Sequence, residues 1–384
     1  MKVDIRNRVK ANFTSQFGGV PVMTKASGRI NLIGEHVDYN DGFVLPAAID
    51  KGIVVAVGHG NGDVCQVTAL DLEETYQFDT SSIAPLSGGG WRNYLLGILD
   101  EVKKRGHDIP SFNMVFAGDI PSGSGLSSSA ALENAMVFSL NTLFQWGFQR
   151  KEMIRISQQA EHRFVGVKCG IMDQYASMFG KEGHFLLLDC RSVEAVPIVA
   201  NLGNHELVLI NTNVQHTLSD SAYNDRRAVC EAICQRLDKK ALRDVTEETL
   251  QKIRDEIHES EYDQALFVLR EIQRTKDAAE YLIKNDLTSL GRLMFNSHYG
   301  LRDKYRVSCD ELDFLVNLAE ADDSVAGARM MGGGFGGCTI NLIKKEGKEH
   351  FLERTTAAYK NQFGLESSVY QVAVSKGTQL VGDI

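Results

Sequence analysis

The sequence is poor in proline, with 6 in 384 residues, and it contains no long polar or low-complexity tract. That excludes a disordered or fibrous chain, and apolar and charged fractions of 43% and 24% describe an ordered, folded one. No apolar run reaches the roughly 18 residues needed to cross a bilayer. The first residues, MKVDIRNRVKANFTSQF, lack the apolar core of a secretory leader and are patterned as an amphipathic helix. Positive charge is in deficit, and a net charge of −9 is the wrong sign for gripping nucleic acid or an anionic membrane surface. A small ligand in a local positive site remains open. The seven cysteines, Cys65, Cys169, Cys190, Cys230, Cys234, Cys309 and Cys338, are odd in number and never spaced C-x-x-C, which is reduced usage and points to the cytoplasm.

At this length one hydrophobic core does not suffice, so two domains are expected, 1–200 and 201–384. Extended pieces are expected at Met23–Ala26 and Arg29–Ile33, followed by a polar loop, GEHVDYNDG. Trp91–Lys104 has helical periodicity, SFNMVFAGDI alternates as a strand, and Ala130–Phe144 is a long helical stretch without a breaker. Helices follow at Arg150–Phe164 and Ile171–Phe179, then a buried strand in HFLLLDCRS. The second half opens with the strand LVLINTN and continues through helices expected at Ala222–Leu237, Thr246–His258 and Tyr262–Lys284. Helix and strand intermix without strict βαβ alternation, so the fold class is α+β.

The segment PSGSGLSSSA, Pro121–Ala130, joins a strand to a helix and has no lysine. A helix start offers free N–H groups and partial positive charge, so a glycine-rich turn there can hold a phosphate without one. The serine hydroxyls add donors, and one can ligate Mg²⁺. A serine-capped flexible loop is the equal alternative. In MGGGFGGCTI, Gly332, Gly334 and Gly337 satisfy G-x-G-x-x-G, but a strand follows where the dinucleotide fingerprint needs a helix. A tight loop that brings backbones together is the better reading.

Between Arg29 and Asp41 the polar residues suit hydrogen bonding to a polyol rather than core building. Glu35-His36 and Glu161-His162 lack any zinc-ligand spacing, and Glu161 on a helix reads first as a solvated surface residue. Asp173, between apolar neighbours, needs a partner or a task, and Arg29 is eligible.

Taken together, GRINLIGEHVDYNDGFVLP, PSGSGLSSSA, AEHRFVGVKCGIMDQ and RMMGGGFGGC resemble the galactokinases, a branch of the small-molecule kinase family that also includes homoserine and mevalonate kinases. The blocks keep the family's order over nearly the whole chain. The resemblance implies an N-terminal domain like ribosomal S5 domain 2, a ferredoxin-like C-terminal domain, and an active site in the cleft between them. It implies ATP- and Mg²⁺-dependent phosphorylation of the anomeric hydroxyl of α-D-galactose, the first step of galactose catabolism. A monomer is the expected state.

By the same resemblance Asp173 is the catalytic aspartate and Arg29 orients it. Glu35, His36, Val37, Asp38, Gly170 and Tyr223 match sugar positions. Gly123, Ser124, Gly125, Leu126, Ser127, Ser128 and Ser129 match the ATP phosphate loop, and Ser129 with Glu161 the Mg²⁺ ligands. An adjacent arginine makes a carboxylate a weaker base, so orientation of the hydroxyl counts as much as proton removal. Met331 and Val37 depart from the family's usual threonines, and no adenine-side contact is placed in Thr68–Asp71. The rivals are a 1-kinase for N-acetylgalactosamine or another sugar, and a silent galactose sensor. The complete serine-alanine run, Ser127–Ala131, favours an enzyme.

Overall fold

The computed structural model describes residues 4–215 and 219–382. Its first half is built on a six-stranded sheet in the order Gln379–Leu380, Val22–Asn31, Pro46–His59, Phe112–Gly118, Val64–Ala69, Glu74–Asp79. Side chains alternate across a strand, and Pro46–His59 uses both faces. Val54 and Ala56 pack against Val9 and Phe13 of the helix Ile5–Phe17. Val55 and Val57 face the larger core under the helices Trp91–Lys104, Ser128–Phe144, Arg150–Ala160 and Met172–Phe179. One pairing, Val64–Ala69 with Phe112–Gly118, is parallel, and Trp91–Lys104 lies in the crossover that a parallel pair requires.

The two extended pieces expected near residue 27 are one strand, Val22–Asn31, with a register shift between Ser27 and Arg29. A bulge re-aims the side chains beyond it. Gly28 lies at the shift, where an added Cβ would come within 2.8 Å of the Leu126 carbonyl oxygen. The strand thereby meets the backbone of the serine loop, and Arg29 turns inward, 3% exposed.

The second half is a four-stranded antiparallel sheet in the order Val325–Met330, Gly336–Lys344, His205–Gln215, Ser368–Gln371. Leu207 and Leu209 face a core with Leu290 and Met294 of the helix Leu287–Tyr299, while Val208 and Ile210 face Leu315 and Phe351 on the opposite side. The first of these cores also takes in Ile30, Leu32 and Ile33, so the halves are joined by shared apolar packing. The glycine run lies at the hairpin between Val325–Met330 and Gly336–Lys344 and opens no helix. The chain end returns to the first half: Thr24 pairs with Leu380, and Gly377 N–H donates to the Gly180 carbonyl at 2.8 Å. The span 201–384 thus gives its last residues to the N-terminal sheet.

Two expectations change. Thr246–His258 is not one helix but Glu247–Gln251 and a 3₁₀ turn at Arg254–Glu256. A capping box between His258 and Glu261 starts the long helix Glu259–Ile283 afresh, which ends the earlier one. The long helix expected from Ala130 begins at Ser128. Leu287–Tyr299 and the helix Asp310–Glu320 have no counterpart in the sequence-based expectations.

Gly291 faces strand Val325–Met330 so closely that a Cβ there would lie 1.8 Å from the Ala326 carbonyl oxygen. Gly291→Ala should lower stability by about 1–3 kcal/mol, the usual cost of overpacking, read as a fall in the denaturant midpoint. An unchanged midpoint would show that this packing is looser than described.

Candidate active site

The bulged strand carries Arg29 to the N-terminus of helix Met172–Phe179, where it meets Asp173. Nε and Nη2 donate to the two carboxylate oxygens at 2.8 and 2.9 Å, a bidentate pair. Nη1 donates to the Gly125 carbonyl, and the Ser127 hydroxyl donates to Asp173 Oδ2. Burial alone would lower the Arg29 guanidinium, but Asp173 and Glu35 reverse this and hold it above its ordinary value. One cation thus stands between the serine loop and a carboxylate.

After the strand, the backbone turns through Gly34 at φ +99°, where a Cβ would lie 2.8 Å from Thr275 Oγ1. Glu35 follows, 2% exposed, accepting from Arg329 at 3.0 Å and from the Gly332 N–H at 2.9 Å. Burial would raise its carboxyl, but Arg329 and Arg29 hold it below the usual range. His36 is buried, and desolvation lowers it to about 4, so the ring is neutral. Tyr223 lies over it at a ring separation of 5.3 Å. Asp38 sits against Gly170, where an added Cβ would come within 2.0 Å of Asp38 Oδ2. Burial and the nearby Asp173 charge push Asp38 up to about 7. Val37 is the exception among the expected sugar positions: fully buried in the main core, it keeps its side chain out of the cavity.

Arg29, Glu35, His36, Asp38, Glu161, Gly170, Asp173 and Tyr223 line one cavity of about 130 Å³ together with Cys169, Gly332 and Gly333. A hollow of about 800 Å³ lies elsewhere, near Asp50, His205 and Lys345, but no comparable set of charged groups converges there. Convergent chemistry, not size, marks the site.

The serine loop is more internal than its composition suggests. Ser124 turns its hydroxyl to the Pro121 carbonyl at 2.7 Å, Leu126 is buried in the shared core, and Ser127 is bound to Asp173. Gly123, Gly125, exposed Ser128 and half-buried Ser129 remain on the open side. Ser127 adopts φ 58° as the N-cap of helix Ser128–Phe144, which turns that helix start toward the loop. The second glycine run abuts the first: Cβ positions at Gly332 and Gly337 lie 3.5 Å from the carbonyl oxygens of Gly125 and Gly123.

Glu161 is no surface residue. It opens a π-helical turn, Glu161–Val165, is 8% exposed, and accepts from Gln174 Nε2 at 2.9 Å. The same Nε2 lies 3.3 Å from Glu133, a fully buried carboxylate whose Oε1 has no hydrogen-bond partner. Burial and the Glu161 charge push Glu133 well above its ordinary range. Two such carboxylates ionise together only beside a cation, and their hard oxygens fit Mg²⁺. Among the described residues no three His, Cys, Asp or Glu side chains converge as a metal cage. The sequence pattern does not single out Glu133 or Arg329: the first lies inside an apolar helix, and the second stands three residues before the glycine run.

The folded Asp38 carboxyl, near 7 against an ordinary 3.8, binds its proton more tightly than in the unfolded chain. Its contribution to stability therefore falls as pH rises from about 4 to about 7. Relative to wild type, Asp38→Asn should gain melting temperature across that range. An equal difference at both ends would contradict the assignment.

Comparison with known proteins identifies the family. Residues 11–59 match the galactokinase galactose-binding signature, 93–181 the GHMP kinases N terminal domain and 278–361 the GHMP kinases C terminal family. A galactokinase of Thermotoga neapolitana is 38% identical over 93% of this chain and 99% of its own, and one of Clostridium beijerinckii 38% identical over 98% and 99%. The structure of Lactococcus lactis galactokinase complexed with galactose superposes with a TM-score of 0.92 at 32% identity, covering 97% of this chain and 98% of that one. Methanococcus jannaschii mevalonate kinase shares the fold at a TM-score of 0.65, 16% identity and coverage of 93% and 99%. The chain belongs to the galactokinase family of the GHMP kinases.

Proposed function

We propose that the protein transfers the γ-phosphoryl group of ATP to the anomeric hydroxyl of α-D-galactose, giving α-D-galactose 1-phosphate and ADP. The observation that carries this reading is the Arg29–Asp173 pair, which opens on a cavity lined by Glu35, His36 and Asp38 and also touches the serine loop. Charged and hydrogen-bonding groups of this kind orient a small polyol.

Phosphoryl transfer asks chiefly for positioning and charge neutralisation. Asp173, fixed by three donors, accepts from the sugar hydroxyl and orients its oxygen for attack. Arg29 faces the negative charge that builds on the transferring group. Backbone N–H groups at the start of helix Ser128–Phe144, with Gly123 and Gly125, cradle the phosphates. Ser129 and Glu161 would hold Mg²⁺, with Glu133 behind them. When bound, that ion would supply the positive charge that neutralises the phosphates. Glu35, His36, Asp38, Tyr223 and the Gly170 backbone bind the sugar. We further propose that residues 1–200 and the returning C-terminal end form one domain and the remainder the other, and that the protein acts as a cytoplasmic monomer.

Purified protein should release ADP with ATP and galactose. Asp173→Asn should lose turnover by at least about a thousandfold while still binding ATP, because the phosphate cradle is separate. Near-normal turnover in the folded variant would remove Asp173 from its role. Turnover of N-acetylgalactosamine, glucose or arabinose in place of galactose would overturn the substrate, and sugar binding without ADP release would indicate a sensor.

A further inference from the structure

We propose that Tyr39 and Tyr305 are positioning residues that fix the tautomer of His36, so that its Nε2–H is a hydrogen-bond donor to the sugar. The sugar part of this rests on the function proposed above; the tautomer does not.

Behind His36 runs a chain of hydroxyl and thiol groups drawn from separate elements. The ring Nδ1 lies 2.9 Å from the Tyr39 hydroxyl, and that hydroxyl lies 2.7 Å from the Tyr305 hydroxyl. Tyr305 ends the π-helical turn Gly300–Tyr305, and its oxygen lies 3.6 Å from Cys230 Sγ on helix Ser219–Arg236. Asn40 Nδ2 donates to the same sulfur at 3.6 Å. On the far side of the ring, Nε2 lies 3.2 Å from the Gly333 carbonyl oxygen.

The two ends set the direction of every link. A carbonyl oxygen only accepts, so Nε2 carries the hydrogen. The neutral ring then has a bare Nδ1, which must accept from Tyr39. Tyr39, having given its one hydrogen to the ring, accepts from Tyr305. Tyr305 accepts from the Cys230 thiol. At the other end the Asn40 amide N–H can only donate, which leaves the sulfur free to give its hydrogen to Tyr305. Burial keeps these protons in place: it pushes the Cys230 thiol up to about 11 and both tyrosines well above their ordinary value.

The consequence falls in the cavity. His36 and Gly333 line it, whereas Tyr39 and Tyr305 do not, so the tyrosines act through the ring. A ring held as the Nε2–H tautomer offers its hydrogen to whatever oxygen takes the place of the Gly333 carbonyl, and a sugar hydroxyl supplies one. The opposite tautomer would set an Nε2 lone pair against the Gly333 carbonyl oxygen and reverse the hydroxyls of Tyr39 and Tyr305 along the chain.

The test is ¹⁵N NMR of the histidine rings in the full chain, with the His36 signals identified by their loss in His36→Gln. Wild type should show a single Nε2–H tautomer. Tyr39→Phe should show both tautomers, together with a rise in KM for galactose of about tenfold, the scale of one lost hydrogen bond, and an unchanged KM for ATP. Tyr305→Phe should shift the same signals less; flanked by the His36 and Phe267 rings, it loses only its oxygen and supplies the readout should Tyr39→Phe not fold. An Nδ1–H tautomer in wild type, or tautomer signals unmoved in the folded phenylalanine variants whatever their KM, would overturn the proposal. The expected tautomer shifts in a protein that does not phosphorylate galactose would uphold the relay and remove the galactose reading instead.

Discussion

Arg329 is fully buried, and the arrangement of the site depends on where its guanidinium points. It stands on strand Val325–Met330 in the second half and donates to the carbonyls of Asn31, Leu32 and Met330 and to Glu35. A charge out of water is costly unless it is paired and its hydrogens are satisfied. Here the bonds that satisfy it draw the end of strand Val22–Asn31 and the loop after it onto the second sheet. Glu271, equally buried, adds a second tie by accepting from the Gly34 N–H at 3.1 Å and the Ser297 hydroxyl at 2.6 Å. The loop bearing Glu35, His36 and Asp38 is thus shaped by polar groups that lie far along the chain.

The same constraint explains why the two glycine runs meet. Once Glu35 accepts from Gly332, the hairpin loop of the second half lies over the serine loop of the first, with the Gly332 and Gly337 positions in van der Waals contact with the Gly125 and Gly123 carbonyls. Arg29 then reaches Asp173 and Gly125 together. The groups proposed to bind the sugar, the Arg29–Asp173 pair and the serine loop become parts of one interface, and each half alone holds an incomplete set.

Much of this was legible in the sequence, and unevenly so. Trp91–Lys104 announced itself by apolar periodicity, and the strand-loop-helix around PSGSGLSSSA by alternation followed by a breaker-free run. The Arg29–Asp173 partnership could be suspected from a carboxylate among apolar neighbours, but their meeting depends on a bulge that no local pattern reveals. Glu161 looked like a surface residue because its burial comes from Gln174 and Glu133, remote in sequence. Ser124 and Ser127 looked available to a phosphate because composition does not show which way a hydroxyl turns. Arg329 carried only a faint signal, an arginine beside a glycine run, because its partners Asn31, Leu32 and Glu35 lie nearly three hundred positions earlier.

The proposed sugar site is assembled across the two halves through the buried Glu35–Arg329 contact. A double-mutant cycle with Glu35→Gln and Arg329→Met, read as galactose affinity by calorimetry on folded protein, tests it most directly. Each single variant should lose galactose affinity, the double variant should lose far less than the sum, and ATP affinity should change little, because the two side chains act as one unit. Additive losses, or galactose affinity indifferent to Arg329, would show that the contact does not assemble the site.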